Sequence, residues 1–176
     1  EASGASTLLF EPRVLKKDFR RIIEATEPAI LTSEPGRLAS VKLPYLRRLV
    51  ALEGEAQGSV ESWEAFLASG DGVEPGAVEA RTRVVTPADP ALLYFSSGST
   101  GRPKGVLNAN RGVAVQCWRY PGLLGLREDR GIRGWSANGF FWSGSFVQGI
   151  GGAMGAGGSL VLQATFDAAG ALDLFE

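Results

Sequence analysis

Histidine is absent from the 176 residues of this chain. A histidine-ligated metal, a Ser–His–Asp triad and a histidine general base are therefore excluded within these residues, and we expect no metal site. A single cysteine, Cys117, leaves no partner for an internal disulfide. This fits a reducing compartment, and we expect a cytoplasmic protein.

Neither sign of charge is in excess, since 18 Lys and Arg oppose 19 Asp and Glu. No basic field therefore marks the chain for nucleic acid or for an anionic membrane. The residues Gly134–Phe166 carry no charge at all, but the run GIGGAMGAGG and the polar Ser143, Ser145 and Gln148 interrupt them. A spanning helix needs about 20 mainly apolar residues. We therefore predict a buried helix followed by a buried strand, and no membrane span.

The two ends of the chain carry no start or stop signal. It opens EASGASTLLF, without methionine or an apolar leader, and stops at AAGALDLFE inside a predicted helix. We expect residues 1–176 to be a single partial domain, truncated at both ends. Such a domain exposes sheet edges and apolar faces, so we also expect self-association into a homo-oligomer.

Short apolar runs alternate with helical patterns, which predicts an α/β fold with a largely parallel sheet and flanking helices. Strands are predicted in STLLF, RRLVALEG, ALLYF and SLVLQ. Helices are predicted over Val14–Ala25, in SVESWEAFLASG with Ser59 or Ser62 as cap, from Asn110 as cap to Trp118, in the glycine-rich segment after GFFWSGS, and in FDAAGALDLFE. The polar stretch DGVEPGAVEARTRVVTPADP is interpreted as a surface connection.

The stretch YFSSGSTGRPKGV, Tyr94–Val106, concentrates hydroxyl groups, glycines and two cations behind an apolar strand. Successive backbone amides after a strand end can form an anion-binding nest, and glycines permit positive φ and close approach. We predict that Ser96–Lys104 is an exposed loop suited to a polyphosphate. Its spacing is neither that of a P-loop nor that of a Rossmann fingerprint.

YFSSGSTGRPKG also resembles the phosphate-loop signature of the adenylate-forming superfamily, which includes acyl-CoA synthetases, aryl-CoA ligases, luciferases and peptide-synthetase adenylation domains. Looser resemblances run from SGASTLLFEP through SWEAFLASGD to GFFWSGSFVQGIGGAMGAGGSLVLQ. Their order and spacing imply an interior slice of the large N-terminal domain of such an enzyme. The family's adenine-, ribose- and metal-binding motifs and its C-terminal lysine are not found in these residues.

The resemblance implies an AMP-dependent ligase that joins a small carboxylic acid to coenzyme A, using ATP and Mg²⁺. Thr100 and Lys104 would be catalytic, with Lys104 neutralising charge on the departing pyrophosphate. Trp142 would line the acyl pocket. The groups that would hold the β- and γ-phosphates are Ser96, Ser97, Gly98, Ser99, Thr100, Gly101 and Lys104. The chain alone is expected to be inactive.

Alternatives remain for these segments. Phe141 and Trp142 could be ordinary core aromatics. A noncatalytic protein could retain the loop as an anion-binding or structural element. An unrelated nucleotide hydrolase would need a strand ending in an acidic residue, and no predicted strand ends that way.

Overall fold

The computed structural model describes residues 3–98, 101–126 and 131–175 of the chain. They form two compact units, Glu1–Val84 and Val85–Glu176. Both units combine strands with helices, and parallel pairing occurs in each, so the predicted α/β class is confirmed. The assignment of residues 1–176 to a single partial domain stays a prediction.

The first unit contains a parallel sheet with short helices around it. Its elements are β1 (Thr7–Phe10), β2 (Arg13–Val14), β3 (Lys17–Asp18), α1 (Phe19–Thr26), a 3-10 helix (Pro28–Leu31), β4 (Arg48–Ala51), β5 (Val60–Ser62), α2 (Trp63–Ala68) and α3 (Pro75–Arg83). The sheet order is β1-β4-β5, with both pairings parallel, and β2 pairs with β3 antiparallel.

The core of the first unit lies around the central strand β4. Leu49, Val50 and Ala51 are fully buried, as is Ile30 of the 3-10 helix, and Val60 of β5 is almost fully buried. A parallel strand covered on both faces is expected to be continuously apolar, as residues 49–51 of β4 are. The strand predicted in RRLVALEG is therefore confirmed.

The predicted start of α1 at Val14 is wrong. The helix begins at Phe19, because residues 13–18 form the β2–β3 hairpin. Asp18 ends the hairpin and caps the helix, its Oδ1 accepting a hydrogen bond from the Arg21 amide at 3.0 Å. The helical spacing around Val14 therefore includes residues that local pairing holds extended.

Two further predictions in the first unit need correction. Val60 lies in β5 rather than in the helix, and Ser62 rather than Ser59 caps α2, its Oγ accepting from the Ala65 amide at 3.2 Å. The connection predicted after Gly70 contains the helix α3, which begins at Pro75. Proline is well suited to the first turn of a helix, where no amide donor is needed.

The second unit carries the sequence motif that the loop prediction concerns. Its elements are β6 (Pro90–Ser96), β7 (Lys104–Ala109), α4 (Asn110–Leu123), β8 (Arg133–Ser136), α5 (Ser143–Ser145), a π-helical segment (Phe146–Gly151), α6 (Gly152–Gly155), β9 (Ser159–Leu162) and α7 (Ala168–Phe175). β6 and β7 form an antiparallel hairpin, and β8 pairs with β9 in parallel. Neither β7 nor β8 was predicted from the sequence.

Asn110 is not the cap that the sequence predicts. Ala109 occupies the cap position of α4 and Asn110 is its first residue. The Asn110 side chain instead donates from Nδ2 to the Thr86 carbonyl at 3.2 Å, and its amide donates to the Asp89 carbonyl at 3.0 Å. These bonds tie the start of α4 to the segment before β6.

The helical residues 143–155, called the glycine helix below, approach α4 closely. A Cβ added at Gly151 would overlap the Cys117 thiol, and one added at Gly155 would overlap the Cys117 carbonyl oxygen. Small residues permit such an approach of two helices, as they do elsewhere in helix packing. None of the helices within the described residues has the length and apolar character needed to cross a membrane.

Candidate functional site

The predicted phosphate loop connects the two strands of the β6–β7 hairpin. Ser96 and Lys104 face each other as the last pair of the ladder. Residues 97, 98 and 101–103 lie outside the strands and are mostly exposed, whereas Ser99 and Thr100 lie outside the described residues. The prediction of an exposed loop after a strand is confirmed, with Ser96 and Lys104 as strand ends rather than loop residues.

Two glycines give this loop its shape. Gly98 has φ +63° and Gly101 has φ +74°, a region that side-chain-bearing residues rarely adopt. The Gly101 amide donates to the Gly98 carbonyl at 3.3 Å. A Cβ at Gly98 would overlap the Arg102 carbonyl oxygen, whereas nothing lies within 4 Å of one at Gly101. Position 98 therefore requires glycine both for its positive φ and because a side chain has no room there. Position 101 requires glycine only for its positive φ.

The charge at the loop is positive, and no ion pair of the described residues compensates it. The Lys104 side chain passes beside Gly98, its Cγ lying 3.4 Å from the place of a Cβ there. Arg102 and Lys104 are exposed, and within the described residues neither forms an ion pair. Two cations, the hydroxyl groups of Ser96 and Ser97, and a glycine turn thus share one short segment.

Beside the hairpin lies a cleft of about 300 Å³, formed by β6, β7, α4 and the start of the glycine helix. Its walls combine apolar groups with hydroxyl and amide side chains, namely Tyr94, Asn108, Gln116, Tyr120 and Ser143. Burial raises the pKa of the Tyr94 hydroxyl, which further favours its neutral, hydrogen-bond-donating form. Sequence reasoning missed this cleft.

The cleft and the loop lie on the same face of the hairpin. Leu92 and Tyr94 line the cleft, and Ser96 follows them at the alternate position of β6. Lys104 pairs with Ser96 and Asn108 pairs with Leu92, so both project from that face as well. Leu92 and Ser96 are about 13 Å apart along the strand, from the rise per residue. One face thus connects an uncharged cleft to a cationic loop.

Trp142, the predicted acyl-pocket residue, precedes the glycine helix and is next to Ser143 of the cleft. Trp142 is 66% exposed and Phe141 is 74% exposed. The two rings meet edge to face, with centroids 6.4 Å apart. The two aromatic rings are therefore exposed and do not pack in a core, in contrast to the alternative interpretation.

The fold and the hairpin loop define the class of this chain as an α/β protein with a glycine-dependent, cationic loop after a strand. The model of the family described as AMP-binding enzyme matches residues 2–176. The chain belongs to this AMP-binding, adenylate-forming family, and the resemblance inferred from YFSSGSTGRPKG is confirmed.

A curated relative supports this membership. The chain is 36% identical over 136 residues to the 3-[(3aS,4S,7aS)-7a-methyl-1,5-dioxo-octahydro-1H-inden-4-yl]propanoyl:CoA ligase of Mycobacterium tuberculosis. The match covers 76% of this chain and 25% of that protein. The chain therefore spans about a quarter of the length of this relative.

Solved structures show the same fold. The putative long-chain-fatty-acid CoA ligase from Rhodopseudomonas palustris CGA009 superposes with a TM-score of 0.70 at 18% identity, covering 98% of this chain and 36% of that one. The anthranilate CoA ligase AuaEII in complex with anthranoyl-AMP gives 0.65 at 20% identity, covering 97% and 28%.

Proposed function

We propose that the chain is part of an AMP-forming acid–thiol ligase, and that its hairpin loop holds the phosphates of ATP. The observation that carries the proposal is the shared face of the hairpin, on which Ser96 and Lys104 adjoin the cleft that Leu92 and Tyr94 line. Family membership supports the reaction class. The activity belongs to the whole enzyme, of which the chain spans a part.

The reaction has two steps. A carboxylate oxygen attacks the α-phosphorus of ATP, forming an acyl–O–P bond as the bond to pyrophosphate breaks. The sulfur of coenzyme A then attacks the acyl carbonyl carbon, AMP leaves with the oxygen, and the thiol proton passes to solvent. Coenzyme A as acceptor is supported by the mycobacterial relative, a CoA ligase by name.

The described residues fit the phosphates of a nucleotide. Gly98 and Gly101 carry no side chains, so the backbone of the turn can approach an anion closely, and open space adjoins Gly101. We assign phosphate contacts to Ser96, Ser97, Gly98, Gly101 and Lys104, and by resemblance to Ser99 and Thr100. Lys104 stabilises the charge that grows on the departing pyrophosphate, which is the usual role of a fixed cation in such sites.

The acid is proposed to enter the cleft, with Trp142 beside its carboxyl end. Mg²⁺ accompanies ATP as its charge partner, and the described residues contain no group of three or more His, Cys, Asp or Glu side chains that could hold it. The metal would be held mainly by the phosphates of the nucleotide and by water, with few protein ligands. We keep a cytoplasmic location and homo-oligomer formation as predictions.

The test is acid-dependent release of AMP by the full-length enzyme that contains this chain, given ATP, Mg²⁺, coenzyme A and a panel of fatty, aryl and ring-bearing acids. The proposal predicts stoichiometric AMP and acyl-CoA for at least one class of acid. ATP binding without AMP release for any acid would contradict it and favour the noncatalytic anion-binding alternative.

A further inference from the structure

Tyr94 is the hairpin residue of the cleft wall that lies nearest the phosphate loop. Three residue pairs follow one another on the shared face, from the remote end of the hairpin to the loop: Leu92–Asn108, Tyr94–Val106 and Ser96–Lys104. Successive pairs on one face are two residues, or about 7 Å, apart. The first pair lines the cleft at the end remote from the loop, and Tyr94 lines it one step closer. Tyr94 therefore adjoins both the cleft and the first pair of the loop.

The proposed reaction takes place between these two parts of the face. If the acid occupies the cleft and the loop holds the β- and γ-phosphates, the carboxylate and the α-phosphorus have to meet between the cleft and the loop. The Tyr94–Val106 pair occupies that step of the hairpin. Val106 is apolar, so the polar side chain of this pair is that of Tyr94.

The cleft itself supplies no charge to bind a carboxylate. Among the described residues that line it, none is acidic or basic. A carboxylate in the cleft must therefore be bound by uncharged donors. Two of the polar side chains hydrogen-bond elsewhere. Nδ2 of Asn108 donates to the Val106 carbonyl at 3.2 Å, and the Tyr120 hydroxyl accepts from Nε2 of Gln148, in the π-helical segment, at 2.9 Å.

The Tyr94 hydroxyl is an uncharged donor in a partly dry place. Gln116 and Ser143 of the cleft belong to helices, whereas Tyr94 belongs to the strand that leads into the loop. Tyr94 is half-buried, and burial is what raises the pKa of its hydroxyl, without a contribution from a hydrogen bond to any described residue. A donor partly withdrawn from water binds an anionic acceptor more strongly than an exposed one does. The strand register thus places a neutral donor where the carboxylate is needed.

A hydrogen bond from Tyr94 would act on the acid mainly before it reacts. One carboxylate oxygen attacks the α-phosphorus, while the other accepts the phenolic hydrogen bond. As the acyl–O–P bond forms, the accepting oxygen changes from a charged carboxylate oxygen to a neutral carbonyl oxygen. Hydrogen bonds to ionised acceptors are roughly twice as strong as those between neutral groups. The contact should therefore contribute more to binding of the acid than to the rate of the chemical step.

We propose that Tyr94 is a substrate-binding residue, whose hydroxyl donates to the non-attacking carboxylate oxygen of the acid and so turns the other oxygen toward the phosphate loop. This inference rests on the proposed function, because it assumes that the acid occupies the cleft and ATP the loop. It divides the work on the shared face between two side chains. Tyr94 holds the acid in the ground state, and Lys104 stabilises the charge that grows on the departing pyrophosphate.

The experiment measures ATP–pyrophosphate exchange by the full-length enzyme that contains this chain. The fatty, aryl and ring-bearing acids are screened first, and the acid with the fastest exchange is the probe. Tyr94→Phe removes one oxygen atom and fills the same space. We expect it to raise the KM for the probe acid about tenfold, with little change in kcat or in the KM for ATP. Tyr45→Phe is the matched control, because Tyr45 is an exposed tyrosine of the first unit, and it should leave all three constants unchanged.

A second measurement separates a direct contact from a distorted cleft. The probe acid is compared with a competitive inhibitor that has a methyl group in place of the carboxylate and so offers no acceptor. A direct contact predicts that Tyr94→Phe leaves the inhibition constant unchanged. An unchanged KM for the acid, or an equal rise in the KM and the inhibition constant, would overturn the role of Tyr94 and leave the proposed function intact. Exchange with no acid of the panel would instead contradict the proposed function.

Discussion

Gly98 shows how one residue can fix the shape of a binding loop. It combines a left-handed backbone with the absence of space for a side chain, whereas Gly101 has only the backbone requirement. Substitutions at the two positions therefore distinguish the effect of backbone strain, which both share, from the effect of steric overlap, which only Gly98 has. The loop is exposed, so both effects should act on ligand binding more than on folding.

We predict that Gly98→Ala raises the KM for ATP at least tenfold in ATP–pyrophosphate exchange, because the new methyl group displaces the Arg102 carbonyl and with it the loop backbone. Gly101→Ala, the matched control, should cost less, since it carries only the strain of positive φ, about 1 kcal/mol. Equal KM values for the two variants would show that the Gly98 contact does not shape the site.

Glu27 makes the folding stability of the first unit depend on pH. Its Oε2 accepts a hydrogen bond from the Ser40 hydroxyl, and its Oε1 accepts one from the Ala29 amide at 3.1 Å. The Ser40 bond foremost, and then the Ala29 bond, lower the pKa of Glu27 below its ordinary value of 4.5. The carboxylate therefore stabilises the fold above pH 4.5, and this contribution is lost as the pH falls through the lowered pKa.

Ser40→Ala should accordingly lower the urea midpoint of the first unit at pH 7, with a smaller deficit as the pH falls below 4.5. The measurement is urea unfolding across that range, with Thr32→Ala as an exposed control whose deficit stays constant. A Ser40→Ala deficit that does not depend on pH would remove Glu27 from the explanation.

At the scale of elements, close packing of α4 and the glycine helix forms one side of the cleft. Gly151 and Gly155 meet Cys117 without space for a methyl group, whereas a Cβ at Gly152 would have only the Val147 carbonyl at 3.8 Å. The three glycines therefore differ in whether a side chain could be accommodated, although all lie in one helical stretch. The helix spacing, and with it the position of Gln148, depends on the first two.

We predict that Gly155→Ala lowers the free energy of unfolding by about 1–3 kcal/mol, the usual cost of overpacking. Gly152→Ala should be neutral or stabilising, because alanine favours a helix over glycine by about 1 kcal/mol. Thermal or urea unfolding of the two variants is the measurement. A Gly155→Ala variant as stable as Gly152→Ala would contradict the packing described for α4.

Elements that have a distinct local sequence pattern could be predicted from the sequence. The strands β4 and β9 are short apolar runs, and the phosphate loop is a dense local motif, so one stretch of sequence suffices for each. β4 is buried as an apolar run predicts, whereas β9, predicted to be buried, is exposed at both ends. α3 was missed because its residues are all exposed and it has little apolar periodicity. β7 was missed because KGVLNA follows glycines and gains its strand conformation only from pairing with β6.

The cleft could not be predicted for a related reason. Its walls come from β6, β7, α4 and the glycine helix, and no local pattern indicates that Tyr94, Tyr120 and Ser143 meet. Had β7 been predicted, strand alternation would have indicated that Asn108 and Lys104 lie on the same face of the hairpin as Tyr94. The Tyr120–Gln148 bond depends in addition on the π-helical turn, which the sequence does not signal.

At the scale of the whole molecule, the described residues supply only part of a catalytic site. They offer amides, hydroxyls and cations to phosphates, and contacts that ground state and transition state share lower KM more than they raise kcat. No described residue is assigned to the nucleotide base. The mycobacterial relative is about four times as long as the part that this chain matches.

We therefore predict that the 176 residues alone release no acid-dependent AMP, since loss of positioning can forfeit about 7–11 kcal/mol of barrier reduction. The chain is purified, its folding is checked by circular dichroism, and it is given ATP, Mg²⁺, coenzyme A and the acid panel. Multiple turnovers that depend on the acid would mean that these residues contain a complete catalytic core.

The central claim is that the cationic hairpin loop stabilises the departing pyrophosphate, and Lys104 tests it most directly. Acid-dependent ATP–pyrophosphate exchange is measured for the full-length enzyme, for Lys104→Ala, and for Lys16→Ala, an exposed lysine of the first unit. The account predicts a loss of about 10²–10³-fold in exchange rate for Lys104→Ala, with acid binding much less affected, and no change for Lys16→Ala. An unchanged exchange rate in Lys104→Ala would contradict it.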